Sequence, residues 1–335
     1  CRASNITFWI QMKYLNVWND IEPAVRWKGD EGLIDYLIEE SQKEPIALMC
    51  AEEASLHSAT PFFTKEKFLK AKDVYMVQGG YDISYYDSIL KELPNLEYEI
   101  WPFYFLYESV YHNNSISNNS NPERLFLCMN YKPRIHRKKI LDQLARLNLL
   151  ESNYFTWHNP EESYHYKPDR FDEDYYEWKY WQPKQTYLEG QTWDQYAPPT
   201  EMDKCVIDVV TESFLHCPFT TEKTWNAIIS KKPFIILGNL GIHRHLETLG
   251  FKLPTQINYS FDSVADNDLR IQMIVDELYR LSKINLQELH ESMQDVVEYN
   301  YQNALNIVKN ENHTLHVKEH YNEVITRAKK KANEL

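Results

Sequence analysis

The pattern of apolar and polar positions between residues 206 and 238 predicts a strand, a helix and a second strand in succession. Residues 206–212 are largely apolar, residues 220–229 begin polar and continue with a helical period, and residues 233–238 are apolar up to a glycine. Such a succession is typical of a βαβ unit in a parallel sheet. Thr220 or Thr221 is suited to cap the helix. Its first turn would then offer free backbone N–H groups to a phosphate at the carboxyl end of a strand.

A similar alternation marks the first third of the chain. It predicts strands at 6–11, 46–50 and 74–78 and helices at 31–40 and 83–92. Strands that alternate with helices indicate a small doubly wound α/β domain. A new strand and helix pattern begins at Arg124. Further helical periods follow at 138–148, 242–249, 266–283, 286–308 and 313–331.

Two segments interrupt these patterns. Residues 112–122 are rich in Ser and Asn without an apolar period, which is typical of a linker. Residues 159–200 are crowded with Tyr, Trp, Asp and Pro, and we expect a long ordered loop packed by its aromatic side chains. The predicted domains are residues 1–111, a linker at 112–122, a second domain at 123–310 and a terminal helix at 311–335 that packs back on the first domain.

Composition narrows the function classes. The chain has 335 residues and a net charge of −13, from 36 Lys and Arg against 49 Asp and Glu. This balance argues against wholesale binding to nucleic acid, which requires a basic face. No apolar run approaches the roughly 18 residues of a membrane span, and no signal peptide opens the sequence, so we expect a soluble cytoplasmic protein. Three of the five cysteines, Cys50, Cys128 and Cys205, lie in apolar runs that predict burial.

Two motifs carry a family resemblance. Residues 126–137 (FLCMNYKPRIHR) end a predicted strand and open a helix, and Thr221-Glu222-Lys223 opens the helix that precedes the apolar residues 233–238. With these motifs the chain resembles nucleotide-sugar glycosyltransferases of the fucosyltransferase type. Residues 210–213 stand where that family has Phe-Glu-Asn-Ser, and the Asn of that element is Ser213 here. The motifs occur in the family's order and cover about a third of the chain.

The resemblance implies an α/β fold of two Rossmann-like domains facing a cleft, the GT-B architecture, with long C-terminal helices and the donor bound by the second domain. It implies no cofactor; the co-substrate would be a nucleotide-sugar donor, with a GDP-sugar such as GDP-fucose first, and the acceptor a glycan or another hydroxyl compound. Lys223 and Arg137 would neutralise the departing diphosphate, with Arg134 in reserve. Glu222 resembles the family's ribose-binding carboxylate, and Glu212 lies at a strand end. The residues expected at the donor site are Asn130, Arg134, Arg137, Glu212, Thr221, Glu222 and Lys223.

Each of these residues also has a purely structural interpretation. Lys223 would be an exposed helix residue, Arg137 would pair with a surface carboxylate, and Glu222 would be an acid favoured by the helix dipole. For Glu212 the two interpretations are equally supported.

Inverting transfer also requires a general base. Glu52 and Glu53 follow the predicted strand 46–50 and would lie on the acceptor side of the cleft, as a Glu does in the resembled family. Neighbouring residues of a strand point to opposite faces, so one of the two would face the acceptor. Both can equally be loop acids.

Metal motifs are weak, and we expect a metal-independent reaction. Acidic triplets occur at 172–174 and 266–268, and the second is placed to begin a helix. The rival function is a noncatalytic glycan-binding or structural protein on the same fold, with residues 159–200 as its sugar-stacking surface. A glycosidase is disfavoured because adjacent carboxylates cannot flank one bond at about 5 to 10 Å.

Overall fold

The chain forms two compact α/β units. The computed structural model describes residues 13–16, 30–44, 46–50, 74–82, 96–112, 121–130, 134–157 and 199–310. The first unit comprises residues 1–104 with 309–335, and the second comprises residues 105–308. The elements are β1 (Lys13–Asn16), α1 (Asp30–Ser41), β2 (Ile46–Cys50), β3 (Val74–Gln78), β4 (Leu96–Ile100), α2 (Tyr104–His112), β5 (Arg124–Cys128), α3 (Ile135–Arg146), β6 (Tyr154–Phe155), β7 (Cys205–Thr211), α4 (Glu222–Ile229), β8 (Phe234–Leu237), α5 (Ile242–Thr248), α6 (Asn267–Leu281) and α7 (Leu286–Asn310).

The first unit holds a parallel sheet. Its described strands lie in the order β1-β2-β3-β4, with Ile46 opposite both Lys13 and Val74. The predicted strands 46–50 and 74–78 have these bounds in the structure, and the predicted helix 31–40 is α1. The sequence analysis missed β4, whose two glutamates break the apolar run that marks a buried strand. The strand expected at 6–11 and the helix expected at 83–92 lie outside the described residues.

The second unit holds another parallel sheet, whose described strands lie in the order β6-β5-β7-β8. All seven residues of β7 are buried, as expected for a strand covered on both faces. The predicted strand 206–212 begins and ends one residue earlier in the structure. The helix predicted at 138–148 is α3, which begins three residues earlier, because its basic first turn shows no apolar period.

The core of the second unit lies between its sheet and the helices α3 and α6. Apolar side chains at helical spacing on α3 pack with those of α6 against β5, β7 and β8. Cys128 and Cys205 are buried and unpaired, as predicted, whereas the side chain of Cys50 lies outside the described residues. The α/β architecture with parallel sheets is therefore confirmed. The linker at 112–122 and the terminal helix at 311–335 stay predictions, since residues 113–120 and 311–335 lie outside the described part. No helix among the described residues is both long and apolar enough to cross a membrane.

Candidate functional site

The strand order of the second sheet creates a topological switch point between β5 and β7. The chain moves from β5 to β6 in one direction and from β7 to β8 in the other. Right-handed crossovers in opposite directions place the connecting helices on opposite faces. They leave a crevice outside the carboxyl ends of the two central strands, which is where open α/β sheets bind ligands. The first motif of the sequence analysis, residues 126–137, runs from the end of β5 into α3, and the second, at Thr221, bonds to Glu212 at the end of β7. We call Arg134, Arg137, Glu212, Glu222 and Lys223 the switch-point site.

Glu212, directly after β7, is fully buried. Its Oε1 accepts hydrogen bonds from the backbone N–H of Thr221 at 3.0 Å and the hydroxyl of Thr224 at 2.6 Å. Its Oε2 accepts from the hydroxyl of Thr221 at 2.7 Å and the backbone N–H of Ser213 at 3.2 Å. Four donors therefore compensate the desolvation of this carboxylate. The carboxylate binds the first turn of α4 to the end of β7.

The first turn of α4 presents the Thr-Glu-Lys motif. Thr221 is the N-cap in extended conformation, and its hydroxyl accepts from the backbone N–H of Lys223, so of the two capping candidates the structure uses Thr221. The ammonium of Lys223 pairs with Glu222 and donates to the Thr221 hydroxyl at 3.2 Å. The Lys223 side chain keeps 19% of its surface exposed, against 11% for Glu222. Of this turn, the lysine is therefore the group most open to an incoming anion.

The first turn of α3 packs on the end of β7. Arg137 is 2% exposed, and its Nη2 donates to the carbonyl oxygens of Thr211 at 3.0 Å and Glu212 at 3.3 Å. Burial and the neighbouring Arg134 lower the pKa of Arg137 to about 10, so it remains cationic at neutral pH. His136 Nε2 lies 2.9 Å from the carbonyl oxygen of Glu212. Burial and the two arginines hold the pKa of His136 well below its usual value, so this ring is neutral and donates to the carbonyl.

Arg134 precedes α3 in extended conformation and is 7% exposed. Its guanidinium carbon lies 4.8 Å from the centroid of the Phe214 ring, within the range of a cation–π interaction. Phe214 in turn packs edge-on against the exposed His216, at 5.6 Å between ring centroids. The loop after β7 therefore holds a second guanidinium beside Arg137.

Asn130 lies two residues after the end of β5 and is 1% exposed. Its Oδ1 accepts from the Thr211 hydroxyl at 2.7 Å, its Nδ2 donates to the Cys128 carbonyl at 3.3 Å, and its backbone N–H donates to the Thr156 hydroxyl at 2.8 Å. The side chain thus joins the ends of β5 and β7. As placed, its polar atoms point into the protein.

The switch-point site brings together five of the seven residues expected at the donor site, with Thr221 capping the same turn and Asn130 behind it. Its members are three cations and two carboxylates, so the group carries a net positive charge, and the N-terminal end of the α4 dipole adds to it. The sequence analysis missed Thr224, whose hydroxyl donates to the Glu212 carboxylate. His136 lies in the motif 126–137, but its bond to the Glu212 carbonyl was not predicted. Thr224 sits three residues after the N-cap, a position that could have signalled a role in closing this turn.

Several other predicted residues cannot be placed. Glu52, Glu53 and the acidic triplet 172–174 lie outside the described residues, as does most of the aromatic segment 159–200. Asp266 does begin a helix, as expected: it is the N-cap of α6, and its carboxylate accepts from the backbone N–H of Leu269 at 2.9 Å.

Comparison with known proteins gives one solved structure to report. No protein-family model matches the chain, and no curated protein does. The chain is similar to a mutant of T4 phage BGT in complex with UDP-glucose, at 11% sequence identity and a TM-score of 0.40. The similarity covers 85% of this chain and 80% of that chain. Values this low establish neither a shared site nor a shared activity.

Proposed function

We propose that this protein is a glycosyltransferase that takes its sugar from a nucleoside diphosphate donor held at the switch-point site. The observation that carries the proposal is the convergence of two cationic helix starts, those of α3 and α4, at the switch point of a parallel sheet. Transfer of a sugar from a nucleoside diphosphate builds negative charge on the departing diphosphate. Cationic side chains and helix N-termini fixed in advance stabilise that charge.

The described groups support a division of labour within the site. The Lys223 side chain is partly exposed at the first turn of α4, so its ammonium would contact the diphosphate directly. Arg137 is buried and bonded to two carbonyl oxygens, so it would hold the end of β7 and add positive potential from behind. Glu222 lies beside Lys223 and keeps the role of a ribose-binding carboxylate in the proposal.

The finer parts of the proposal rest on the family resemblance. They are a GDP-sugar such as GDP-fucose as donor, inversion at the anomeric carbon, independence from metal ions, a glycan or other hydroxyl acceptor, and Glu52 or Glu53 as general base. The cations of the switch-point site fit a reaction without metal, because they can supply the charge that a metal ion would otherwise supply.

The test is a calorimetric titration of the full chain with GDP and with UDP, in buffer containing EDTA. The wild type should bind at least one of them without added metal. Lys223→Ala should weaken that binding about 10- to 150-fold, the equivalent of the roughly 1.5 to 3 kcal/mol of a hydrogen bond to a charged group.

Lys283→Ala is the matched control. It removes the same charge at the end of α6, where the ammonium lies 4.2 Å from the centroid of the exposed Tyr279 ring, and it should leave the affinity unchanged. Equal affinities of Lys223→Ala and wild type would remove Lys223 from the site. A wild type that binds neither nucleotide would refute the function. Binding without release of nucleoside diphosphate from any nucleotide-sugar would favour the noncatalytic alternative.

A further inference from the structure

Glu212 has no capacity left for a ligand. Its two carboxylate oxygens accept four hydrogen bonds, three of them from Thr221 and Thr224 on the α4 side, and the side chain is fully buried. A ribose hydroxyl could bond to it only if one of these buried donors lost its acceptor. An unpaired buried donor is costly, so the carboxylate favours its internal partners. This geometry separates Glu212 from the ligand-binding role that its strand-end position suggests.

The main chain of the same residue makes a second set of contacts. The carbonyl oxygen of Glu212 accepts from His136 Nε2 at 2.9 Å and from Arg137 Nη2 at 3.3 Å, both on α3. One residue therefore bonds to the first turn of α4 through its carboxylate and to the first turn of α3 through its carbonyl. Both cationic motifs are anchored to a single point on β7.

We infer that Glu212 is the positioning residue of the switch-point site, which fixes the first turn of α4 and its Lys223 relative to α3 and thereby prepares the site for a diphosphate. This inference rests on the proposed function. It assigns Glu212 no contact with the nucleotide, so the hydrogen bonds of its carboxylate influence the ligand only through α4. Loss of these bonds must then weaken the binding of every ligand that carries the diphosphate, whether or not a nucleoside is attached, by more than the removal of one negative charge beside the site strengthens it.

The experiment compares pyrophosphate with GDP, or with UDP if that is the nucleotide bound, in Glu212→Gln and in wild type. Gln has nearly the same shape but presents an N–H₂ group to donors that need an acceptor. We expect the affinities for pyrophosphate and for the nucleotide to fall by the same factor, at least fivefold. A ribose-binding Glu212 would instead lower the nucleotide affinity and leave pyrophosphate unchanged, which would overturn the inference. Unchanged affinity for both ligands would overturn it too.

A double-mutant cycle separates positioning from general destabilisation. Because Glu212 acts through α4, the double variant should lose less affinity for pyrophosphate than the product of the fold losses of Glu212→Gln and Lys223→Ala. Full multiplication would overturn the inference. Glu277→Gln is the matched control. Glu277, on α6, is also buried, and its carboxylate accepts from the backbone N–H of Asn258 and from the side chain of Arg280. The substitution should lower the melting temperature and leave pyrophosphate affinity unchanged.

A further variant covers the case in which Glu212→Gln does not fold. Thr224→Val removes one of the four donors and keeps the charge, and it should weaken pyrophosphate and nucleotide equally, by a smaller factor. An effect on the nucleotide alone would count against the inference. If the wild type binds neither pyrophosphate nor a nucleoside diphosphate, the proposed function itself fails. If it binds both and the variants match it, only the positioning role fails.

Discussion

Asp262 and His243 tie the start of α5 to strand β8, and their pairing can be tested by mutation. His243 is 1% exposed, and its Nε2 accepts from the backbone N–H of Ile236 at 3.1 Å. The proton of the neutral ring therefore lies on Nδ1, which donates to Asp262 Oδ1 at 2.8 Å. The same carboxylate accepts from the backbone N–H groups of His243 at 3.3 Å and Arg244 at 3.1 Å. Among the described strands β8 is at the edge, so this ring provides an acceptor for a strand N–H that has no neighbouring strand.

Replacing Asp262 by Ala removes an acceptor from three donors. Hydrogen bonds to a charged group contribute roughly 1.5 to 3 kcal/mol each. The three share one carboxylate whose side chain is 12% exposed, and water can reach part of the vacated space, so we expect a loss of about 3 kcal/mol in the free energy of unfolding of the second unit. Asp262→Asn keeps one carbonyl oxygen and should lose about 1 to 2 kcal/mol. Urea unfolding at pH 7, followed by circular dichroism, measures both.

The pH dependence provides an independent check. Burial acts to raise the pKa of Asp262, but the hydrogen bonds from His243 and from the two backbone N–H groups outweigh it, so the pKa lies below its ordinary value of 3.8. A carboxyl group with a lowered pKa in the folded state stabilises fully above its unfolded pKa and loses this effect as pH falls through the folded pKa. The stability difference between wild type and Asp262→Ala should therefore shrink below about pH 4. A difference under about 0.5 kcal/mol at pH 7, the scale of ordinary surface substitutions, or one that does not shrink in acid, would refute the reasoning.

Two further predictions concern other carboxylates. Burial raises the pKa of Asp208, on β7, to about 7, so the folded state holds this proton more tightly than the unfolded state. The free energy of unfolding of the wild type should therefore fall as pH rises from roughly 4 to 7, by up to about 1.4 kcal/mol per pH unit. Asp208→Asn should not show this loss in urea unfolding across that range, because the amide has no proton to titrate. The buried Lys232 bonds to carbonyl oxygens of residues 203 and 205, so the substitution removes none of its hydrogen-bond acceptors. Parallel curves for both proteins would contradict the assignment. If Glu52 or Glu53 is the general base, its Gln variant should bind the donor normally and turn over roughly 10² to 10⁴ times more slowly. Normal turnover in both single variants would place the base elsewhere.

The secondary structure of the second unit could be predicted where burial follows one period. The run from β7 through α4 to β8 was predicted to within two residues because its strands are buried and its helix begins at a capping Thr. The prediction failed at two elements that contain polar or charged residues, the first turn of α3 and the strand β4. The first turn of α3 is basic because it meets the end of β7, so it shows no apolar period. The two glutamates of β4 alternate with apolar residues, a period-two pattern that the search for continuous apolar runs did not detect.

The sequence predicted which residues lie at the site, but not which of them contact a ligand and which hold the protein's own strands and helices. Glu212 was expected at the donor site because it follows a strand, and Asn130 because the resembled family has an Asn at that position of its motif; both lie at the switch point. Their partners cannot be deduced from local sequence. Asn130 meets Thr211 across 81 residues, and Glu212 meets Thr224 across 12. Whether a strand-end polar group faces a ligand or its own scaffold depends on such distant donors.

The distribution of charge reconciles an acidic chain with an anionic ligand. The net charge of −13 is spread over 335 residues, whereas the three cations of the switch-point site surround one pair of strand ends. Charges on the surface are screened beyond about 8 Å at physiological ionic strength, so a small anion at the site experiences mainly the net positive charge of these cations with the site's two carboxylates, and the helix ends. A polyanion such as nucleic acid extends beyond that distance and would meet the charges of the rest of a chain that is acidic overall. The acidic net charge that disfavours a polyanion is therefore compatible with the proposed binding of a diphosphate at the first turns of α3 and α4, both of which bond to Glu212.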